Sequence, residues 1–260
     1  MELAYESFGC GRPVVVLHGL FASGTSWRGL ARALSNRHRV IAVDLRNHGR
    51  SPSSDSMSYD DMAADVLHLI ERERLGPTAV IGHCIGGKVA MAMALMAPRS
   101  ISKLCVIETA PTTFLDPWMH QLRTMRRSLQ VNGGSTALAA CKAAAGGSLL
   151  NRFTLPRAAM ENAYFDWRCN LAAIAPLIPE LREFPLALQE RRCRLMLHAI
   201  LGSDSAFVRP ADVSAFTPMF PRARVEVIDS AGHWIHAVRP EALATSLRRV
   251  LGSMQEDVAA

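Results

Sequence analysis

Cys84 is the residue whose surroundings most clearly suggest chemistry. It stands in the run Gly82-His83-Cys84-Ile85-Gly86-Gly87, between an apolar, β-rich stretch at residues 78–81 and a helix-compatible segment that begins at Lys88. A nucleophile between glycines at a strand-to-helix junction is the pattern of a nucleophile elbow, whose tight turn lifts the side chain out of the sheet. The start of the following helix lowers the pKa of a thiol and supplies backbone N–H groups. An inert cysteine in a glycine-rich turn is the plainer interpretation, but the strand and helix on either side favour a nucleophile.

His233 is the candidate base. It follows the last predicted strand, residues 225–228, after a short turn, and lies 149 residues beyond Cys84, so only the fold can bring the two together. A histidine beside a cysteine nucleophile takes its proton and passes it to the leaving group. The alternatives are that His233 is a surface-loop residue or that His236 is the base. We expect His236 to be a packing residue and His233 to be the base.

The elements that must position these residues are short apolar runs that alternate with helix-compatible segments. Continuous apolar runs indicate strands covered on both faces, which is typical of a parallel sheet flanked by helices. The predicted strands are residues 14–17, 40–43, 78–81, 104–107, 194–197 and 225–228, and the predicted helices are residues 27–35, 59–74, 87–97 and 240–251. The alternation predicts an α/β fold with a doubly wound, mostly parallel sheet.

The alternation of strands and helices breaks between residues 112 and 185. This stretch is rich in Arg, Ala and Leu, and its glycine pairs and prolines suit three or four helices and no strand. We therefore predict a helical cap at residues 112–185, inserted into a core formed by residues 1–111 and 186–260. Such a cap would lie above the carboxyl ends of the strands, where open α/β sheets bind ligands.

Composition restricts the classes of function. The chain has 260 residues, is 49% hydrophobic and carries a net charge of +6 from 29 basic and 23 acidic residues. The basic residues are dispersed, which argues against nucleic-acid binding, and no apolar run reaches the ~18 residues of a membrane helix. The 6 cysteines lack metal-like spacing and the first residues show no secretory signal. We expect a soluble, cytoplasmic protein with free thiols, no metal and no cofactor.

Four motifs, spread nearly from end to end, resemble those of the α/β-hydrolase fold family. Beside the elbow, residues 17–21 (Leu-His-Gly-Leu-Phe) resemble the loop after the family's third strand. Residues 44–51 (Asp-Leu-Arg-Asn-His-Gly-Arg-Ser) resemble the turn after its fourth strand, and residues 231–234 (Ala-Gly-His-Trp) resemble the loop of its catalytic histidine. The Asn-His-Gly turn is similar to that of small esterases and acyl-thioester hydrolases. Cys84 stands where the family usually has serine, as cysteine also does in dienelactone hydrolases and polyhydroxyalkanoate synthases.

The resemblance implies a third catalytic residue, an acid, with two candidates. The family's usual position lies three residues past a glycine after the seventh strand. Counted from Gly202, that position is Ser205, which has no carboxylate, and Asp204 is one place early. Some members, including the small esterases, place the acid at the end of the sixth strand, which here is Glu108. Glu108 is our preferred acid and Asp204 the alternative; the plainer interpretation of Glu108 is a carboxylate that caps the start of the insertion.

The same resemblance assigns the other site residues. The oxyanion hole would use the backbone N–H of Ile85 and one from Leu20 or Phe21, of which we take Leu20. His18 would shape this loop. The side chains expected to bind substrate are Phe21, His83, Trp118 and Trp234.

Together these residues predict an enzyme that forms an acyl-cysteine intermediate on a Cys84–His233–Glu108 triad. Hydrolysis of a small-molecule ester or thioester is the expected reaction. Transfer of the acyl group from a coenzyme A or acyl-carrier-protein thioester to an alcohol or amine is the alternative, because an acyl-cysteine stays activated for either attack. A catalytically silent, ligand-binding relative is the alternative of another class. A serine enzyme with an engineered Ser-to-Cys replacement would give the same sequence.

Overall fold

The computed structural model describes residues 1–112, 169–181 and 183–252. A 7-stranded sheet lies at its centre, with the strands β1 (Tyr5–Phe8), β2 (Arg12–Leu17), β3 (His38–Val43), β4 (Thr78–His83), β5 (Ile101–Ile107), β6 (Leu197–Gly202) and β7 (Arg224–Ile228). The described helices are α1 (Arg28–Leu34), α2 (Tyr59–Arg72), α3 (Ile85–Met96), α4 (Leu171–Leu177), α5 (Leu186–Gln189), α6 (Ile235–Val238) and α7 (Pro240–Gly252). Within these described ranges, no helix has the length and apolar character to cross a membrane.

The strands of the sheet follow the order β1-β3-β2-β4-β5-β6-β7. β1 runs antiparallel to β3, and the other neighbours pair in parallel. Val15 and Leu17 of β2 belong to an apolar cluster with α2 and α3, whereas Val14 and Val16 belong to a cluster with α1 and α7. Both faces of the sheet are therefore covered, which is why the central strands are continuous apolar runs. The predicted doubly wound, mostly parallel sheet is confirmed.

Two strands differ from the sequence-based prediction. β1 has no counterpart among the predicted strands, because it is a four-residue edge strand whose side chains are mostly half-buried and give no apolar run. β6 begins at Leu197, where the predicted strand ends, and continues to Gly202. The polar His198 interrupts the apolar pattern there, and the exposed Arg194 precedes the strand instead of forming its first residue.

The predicted cap spans residues 112–185, of which residues 113–168 and 182 lie outside the described residues, so the cap stays a prediction. The described end of this segment lies against the turn that follows β3. The Asn170 N–H donates to the Asn47 carbonyl at 2.8 Å, and Cys169 forms an isolated β-bridge with His48. This end of the insertion is therefore held at the edge of the sheet where the parallel strands end.

Candidate active site

Cys84 lies between β4 and α3 in a strained backbone conformation. Its φ of 54° and ψ of −119° fall in a region that residues with a Cβ rarely adopt. The turn also requires glycine on both sides of Cys84. A Cβ at Gly82 would collide with the Gly86 carbonyl, and a Cβ at Gly86 would come within 2.6 Å of the carbonyl oxygens of Leu17 and His18. Strand, turn and helix thus have the geometry that the sequence motif predicts.

The pairing of β4 with β5 continues into this turn. His83 is in register with Ile107, and the Cys84 N–H donates to the Ile107 carbonyl at 3.0 Å. Glu108 follows Ile107 and donates its own N–H to the Ile200 carbonyl of β6 at 3.0 Å. Cys84 and Glu108 therefore lie side by side at the same edge of the sheet, one at the end of each strand.

His233 reaches this edge from the loop between β7 and α6. Its side chain is buried and hydrogen-bonds Cys84, and the Phe207 ring stacks on its imidazole with the centroids 3.8 Å apart. Burial lowers the pKa of His233, but the charge and hydrogen bond of Cys84, and then the Glu108 carboxylate, outweigh burial and raise the pKa to about 9. At neutral pH His233 therefore carries a positive charge beside Cys84.

Glu108 presents a buried carboxylate to His233. Its φ is 50°, its Oε1 accepts from the Gly202 N–H at 2.7 Å, and its Oε2 accepts from the Ser205 hydroxyl at 2.6 Å. Oε2 lies 3.6 Å from Nδ1 of His233, an ion-pair distance that is too long for a hydrogen bond. Nδ1 has no hydrogen-bond partner among the residues that the structure describes. Such contacts are often long in a free enzyme and shorten when substrate binds.

The alternative acid, Asp204, has different surroundings. Its side chain is exposed, and its Oδ1 accepts a hydrogen bond from the neighbouring Ser203 hydroxyl at 3.0 Å. Ser205, one residue later, turns its hydroxyl towards Glu108, and its oxygen also accepts the N–H groups of Phe207 and Val208 at 3.2 and 3.1 Å. Ser205 was not predicted as a functional residue because it has no charge, yet its hydroxyl is a donor to Glu108. The signal in the sequence that could have indicated a functional role for Ser205 was its position three residues past Gly202, where the family usually has the acid.

The loop after β2 holds the second candidate oxyanion donor. Phe21 has a φ of 63°, and its N–H donates to Nε2 of His48 at 3.1 Å. Among the hydrogen bonds of the described residues, none uses the Leu20 N–H. Ile85 is the first residue of α3, so its N–H has no acceptor within the helix. The geometry thus favours Leu20 and Ile85 as the two donors.

Two neutral histidines hold the loop after β2. His18 donates from Nδ1 to a backbone carbonyl and accepts the Leu45 N–H at 3.0 Å on Nε2. His48 donates from Nδ1 to the Arg46 carbonyl at 2.9 Å and accepts the Phe21 N–H on Nε2. Burial lowers the pKa of His18 to about 4 and that of His48 to about 3. Both rings therefore stay neutral and fix the loop.

The side chains expected to bind substrate lie in different places. His83 is 1% exposed and donates from Nε2 to the His233 carbonyl at 2.9 Å, with the two rings 4.6 Å apart. The predicted contact of His83 with substrate stays a prediction, and the contact that the structure gives it is with the His233 loop. Phe21 is buried, Trp234 is half-buried with its ring 5.3 Å from that of His233, and Trp118 lies outside the described residues.

His236, the alternative base, stacks on Trp27 with the ring centroids 4.9 Å apart. Burial and then the charge of His233 lower the pKa of His236 to about 3, so it is a neutral packing residue. Across residues 1–112, 169–181 and 183–252, no group of three or more His, Cys, Asp or Glu side chains could hold a metal ion.

Comparison with known proteins finds similar chains. A family model described as "Alpha/beta hydrolase family" matches residues 14–246. The Escherichia coli (strain K12) protein named "Esterase YbfF" is 31% identical over 246 residues, which cover 92% of this chain and 92% of that protein. The Saccharomyces cerevisiae protein named "Probable alcohol acetyltransferase" is 32% identical over 260 residues, 90% of this chain and 75% of that one. A solved structure, "Marine microorganism esterase", is similar with a TM-score of 0.80 and 26% identity over 96% of this chain and 99% of that chain.

Proposed function

Because the chain belongs to the alpha/beta hydrolase family, we propose that it hydrolyses a carboxylic ester or thioester through an acyl intermediate on Cys84. The observation that carries this proposal is the meeting of Cys84, His233 and Glu108 at one edge of the sheet, with Cys84 at the start of α3. Relatives named as esterases, one by sequence and one by structure, support the class of reaction.

The first half of the reaction acylates Cys84. His233 already holds the thiol proton as an imidazolium, and the Cys84 sulfur attacks the carbonyl carbon of the substrate. The carbonyl oxygen becomes an oxyanion that accepts hydrogen bonds from the N–H groups of Leu20 and Ile85. The bond to the leaving group then breaks, and His233 gives its proton to the departing alcohol or thiol. For a thioester substrate this step exchanges one thioester for another, so it is nearly even in energy.

The second half releases the acyl group. His233 is now neutral and takes a proton from water, whose oxygen attacks the acyl-cysteine carbonyl. The tetrahedral intermediate collapses to a carboxylic acid and the Cys84 sulfur. In both halves Glu108 faces Nδ1 of His233, so its charge stabilises the imidazolium and favours the tautomer that leaves Nε2 for Cys84.

Transfer to an alcohol is the second candidate reaction. The yeast relative is named a probable alcohol acetyltransferase, and an acyl-cysteine reacts with an alcohol by the same steps as with water. The alcohol would replace water in the second half, and His233 would take its proton. A coenzyme A or carrier-protein thioester as donor stays a prediction.

Intact-mass spectrometry with a panel of acyl esters and thioesters tests these proposals. We expect an adduct of the acyl group on the wild-type chain, no adduct on Cys84→Ala, and a loss of turnover in that variant by about a thousandfold or more. Cys10→Ala is the matched control, because Cys10 is an exposed free thiol far along the chain from the turn. If water is the acceptor, the product should be a free acid even when alcohols are added. If an alcohol is the acceptor, the product should be an ester of that alcohol.

Three outcomes would change the proposal. Turnover of Cys84→Ala at the parent rate would overturn it, and binding of an ester without any turnover by the parent chain would indicate a silent ligand-binding protein. A Cys84→Ser variant with far higher activity would show that the site suits a hydroxyl nucleophile.

A further inference from the structure

Lys88 is a buried cation that the steps above do not use. It lies one turn into α3, where its N–H donates to the Cys84 carbonyl at 3.3 Å, and its side chain is 0% exposed. A lysine is almost never fully buried unless it is paired, because its charge loses the solvation of water. The position of Lys88 within an otherwise apolar helix therefore calls for a reason.

The side chain of Lys88 leads back towards the nucleophile. Helical side chains lean towards the amino-terminal end of their helix, and Cys84 lies at that end of α3. The Lys88 Nζ donates to the Thr112 carbonyl at 2.7 Å and lies 5.6 Å from the centre of the Tyr59 ring. Burial, and secondly the charge of Cys84, raise the pKa of Tyr59.

We propose that Lys88 is a positioning residue that acts through Cys84: its ammonium stabilises the thiolate of Cys84, in addition to the imidazolium of His233. The proposal rests on Cys84 being the nucleophile, as proposed above. Formation of the thiolate moves the thiol proton to His233 and leaves Lys88 protonated, so Lys88 takes no part in proton transfer. Its contribution is a second positive charge in a water-poor site, where charges act more strongly than in water.

The groups that face Lys88 and Cys84 are consistent with this role. Tyr59 of α2 stays neutral, Glu183 before α5 is an exposed carboxylate, and Glu108 and His233 form an ion pair with each other beside Cys84. Burial lowers the pKa of Lys88 to about 7, while the charges of Cys84 and Glu183 oppose that shift. Lys88 is therefore protonated on the acid side of neutrality, where a thiolate most needs a neighbouring positive charge.

Alkylation of Cys84 measures the thiolate without any turnover. We would follow the rate of iodoacetamide labelling at Cys84 against pH in the wild type, Lys88→Met, Lys88→Gln and Lys88→Arg. The two neutral variants should move the midpoint of the profile up by about one pH unit, which is about a tenfold slower rate below the midpoint. Lys88→Arg keeps the charge and should restore the midpoint. Lys103→Met is the matched control, because Lys103 also bonds a carbonyl, that of Val250 at 2.9 Å, but lies on β5 away from the turn.

A second comparison separates Lys88 from His233. In a His233→Gln background, adding Lys88→Met should still raise the midpoint, because the ammonium acts directly on the sulfur. Unchanged midpoints in the neutral Lys88 variants would overturn the proposal. If Lys88→Met does not fold, Lys88→Gln, which can still bond the Thr112 carbonyl, tests the same loss of charge. If Cys84→Ala loses turnover but Lys88→Met leaves the labelling midpoint unchanged, only the role of Lys88 is rejected. If Cys84→Ala keeps full turnover, the role of Cys84 as nucleophile is rejected.

Discussion

The end of β5 and the loop after β6 each offer a carboxylate near the candidate site, in opposite surroundings. Glu108 at the end of β5 is buried, and its two oxygens accept hydrogen bonds from Gly202 and Ser205. Asp204 in the loop after β6 is exposed, and its Oδ1 accepts a bond from its neighbour Ser203. A carboxylate that orients a histidine must itself be held in place by hydrogen bonds. Of the two carboxylates, only that of Glu108 is bonded to residues distant along the chain.

In the proposed mechanism the two regions share the role of the acid. The loop after β6 still places a side chain, Ser205, at the position three residues past Gly202, but that side chain is a hydrogen-bond donor. The end of β5 supplies the charge from a residue with a φ of 50°, a strained conformation that persists only where neighbouring contacts enforce it. One strand end thus carries the charge and the adjacent loop supports it.

Replacing Glu108 by Gln should have the largest effect of the changes that compare these regions. Gln keeps the size and an acceptor for the Gly202 N–H but removes the charge, so we expect kcat/KM to fall by about a hundredfold or more. The basic limb of the pH–rate profile, set by the His233 pKa of about 9, should move to lower pH because Glu108 helps to raise that pKa. The acid limb should move up, because less imidazolium remains to stabilise the thiolate. Retention of full activity would refute Glu108 as the acid.

Moving the charge back to the loop is the next test. In a Glu108→Gln background, Ser205→Asp places a carboxylate at the usual position beside the former acid, and we expect about tenfold of the lost kcat/KM to return. Ser205→Asn in the same background is the matched uncharged control. Equal rates for the Asp and Asn double variants would show that the loop does not direct this position at His233.

Removing the Ser205 hydroxyl should have a moderate effect. Ser205→Ala takes one donor from Glu108 and leaves the Phe207 and Val208 N–H groups without that acceptor, so we expect a loss of about 1–3 kcal/mol in unfolding free energy. The kcat should fall by about three- to tenfold, because Glu108 is less firmly held. Ser205→Thr retains the hydroxyl and should stay near the wild type. Stability from chemical denaturation and kcat at saturating substrate are the two readouts.

Asp204→Asn should have the smallest effect. An exposed carboxylate bonded to an adjacent hydroxyl contributes little, so kcat/KM should stay within about twofold of the wild type. Measured beside Glu108→Gln, this variant is a direct comparison of the two acids. A large loss here, with activity kept in Glu108→Gln, would assign the acid to the loop after β6 instead.

The sequence predicts the structural features that depend on apolar patterning, but it does not predict the features that depend on hydrogen bonds of the backbone. Continuous apolar runs located the central strands, and the glycines around Cys84 located the tight turn, because a Cβ at Gly82 or Gly86 does not fit there. The preference for Leu20 over Phe21 had no support from side-chain type, since both candidate donors are backbone groups, and only the structure shows that the Phe21 N–H meets His48.

Polar residues inside apolar strands and helices were the second limit on what the sequence could predict. In the sequence, Lys88 resembles an ordinary member of a helix, and His83 was predicted to contact substrate. Only the structure shows that Lys88 reaches the Thr112 carbonyl and that His83 reaches the His233 carbonyl. The predicted sixth strand ended too early for the same reason, since a single polar residue, His198, breaks the apolar pattern without breaking the strand.

The adjacency of β4 and β5 has a consequence for the order in which the active site forms during folding. Two of its three groups, Cys84 and Glu108, end consecutive strands joined by one helix, so their meeting closes only a short loop, whereas His233 must arrive from far along the chain. Local contacts cost less chain entropy and form sooner. A refolding chain should therefore bring nucleophile and acid together first and gain a reactive thiol last, when the loop after β7 docks. Pulse alkylation of Cys84 at successive refolding times would reveal that delay as a late rise in labelling.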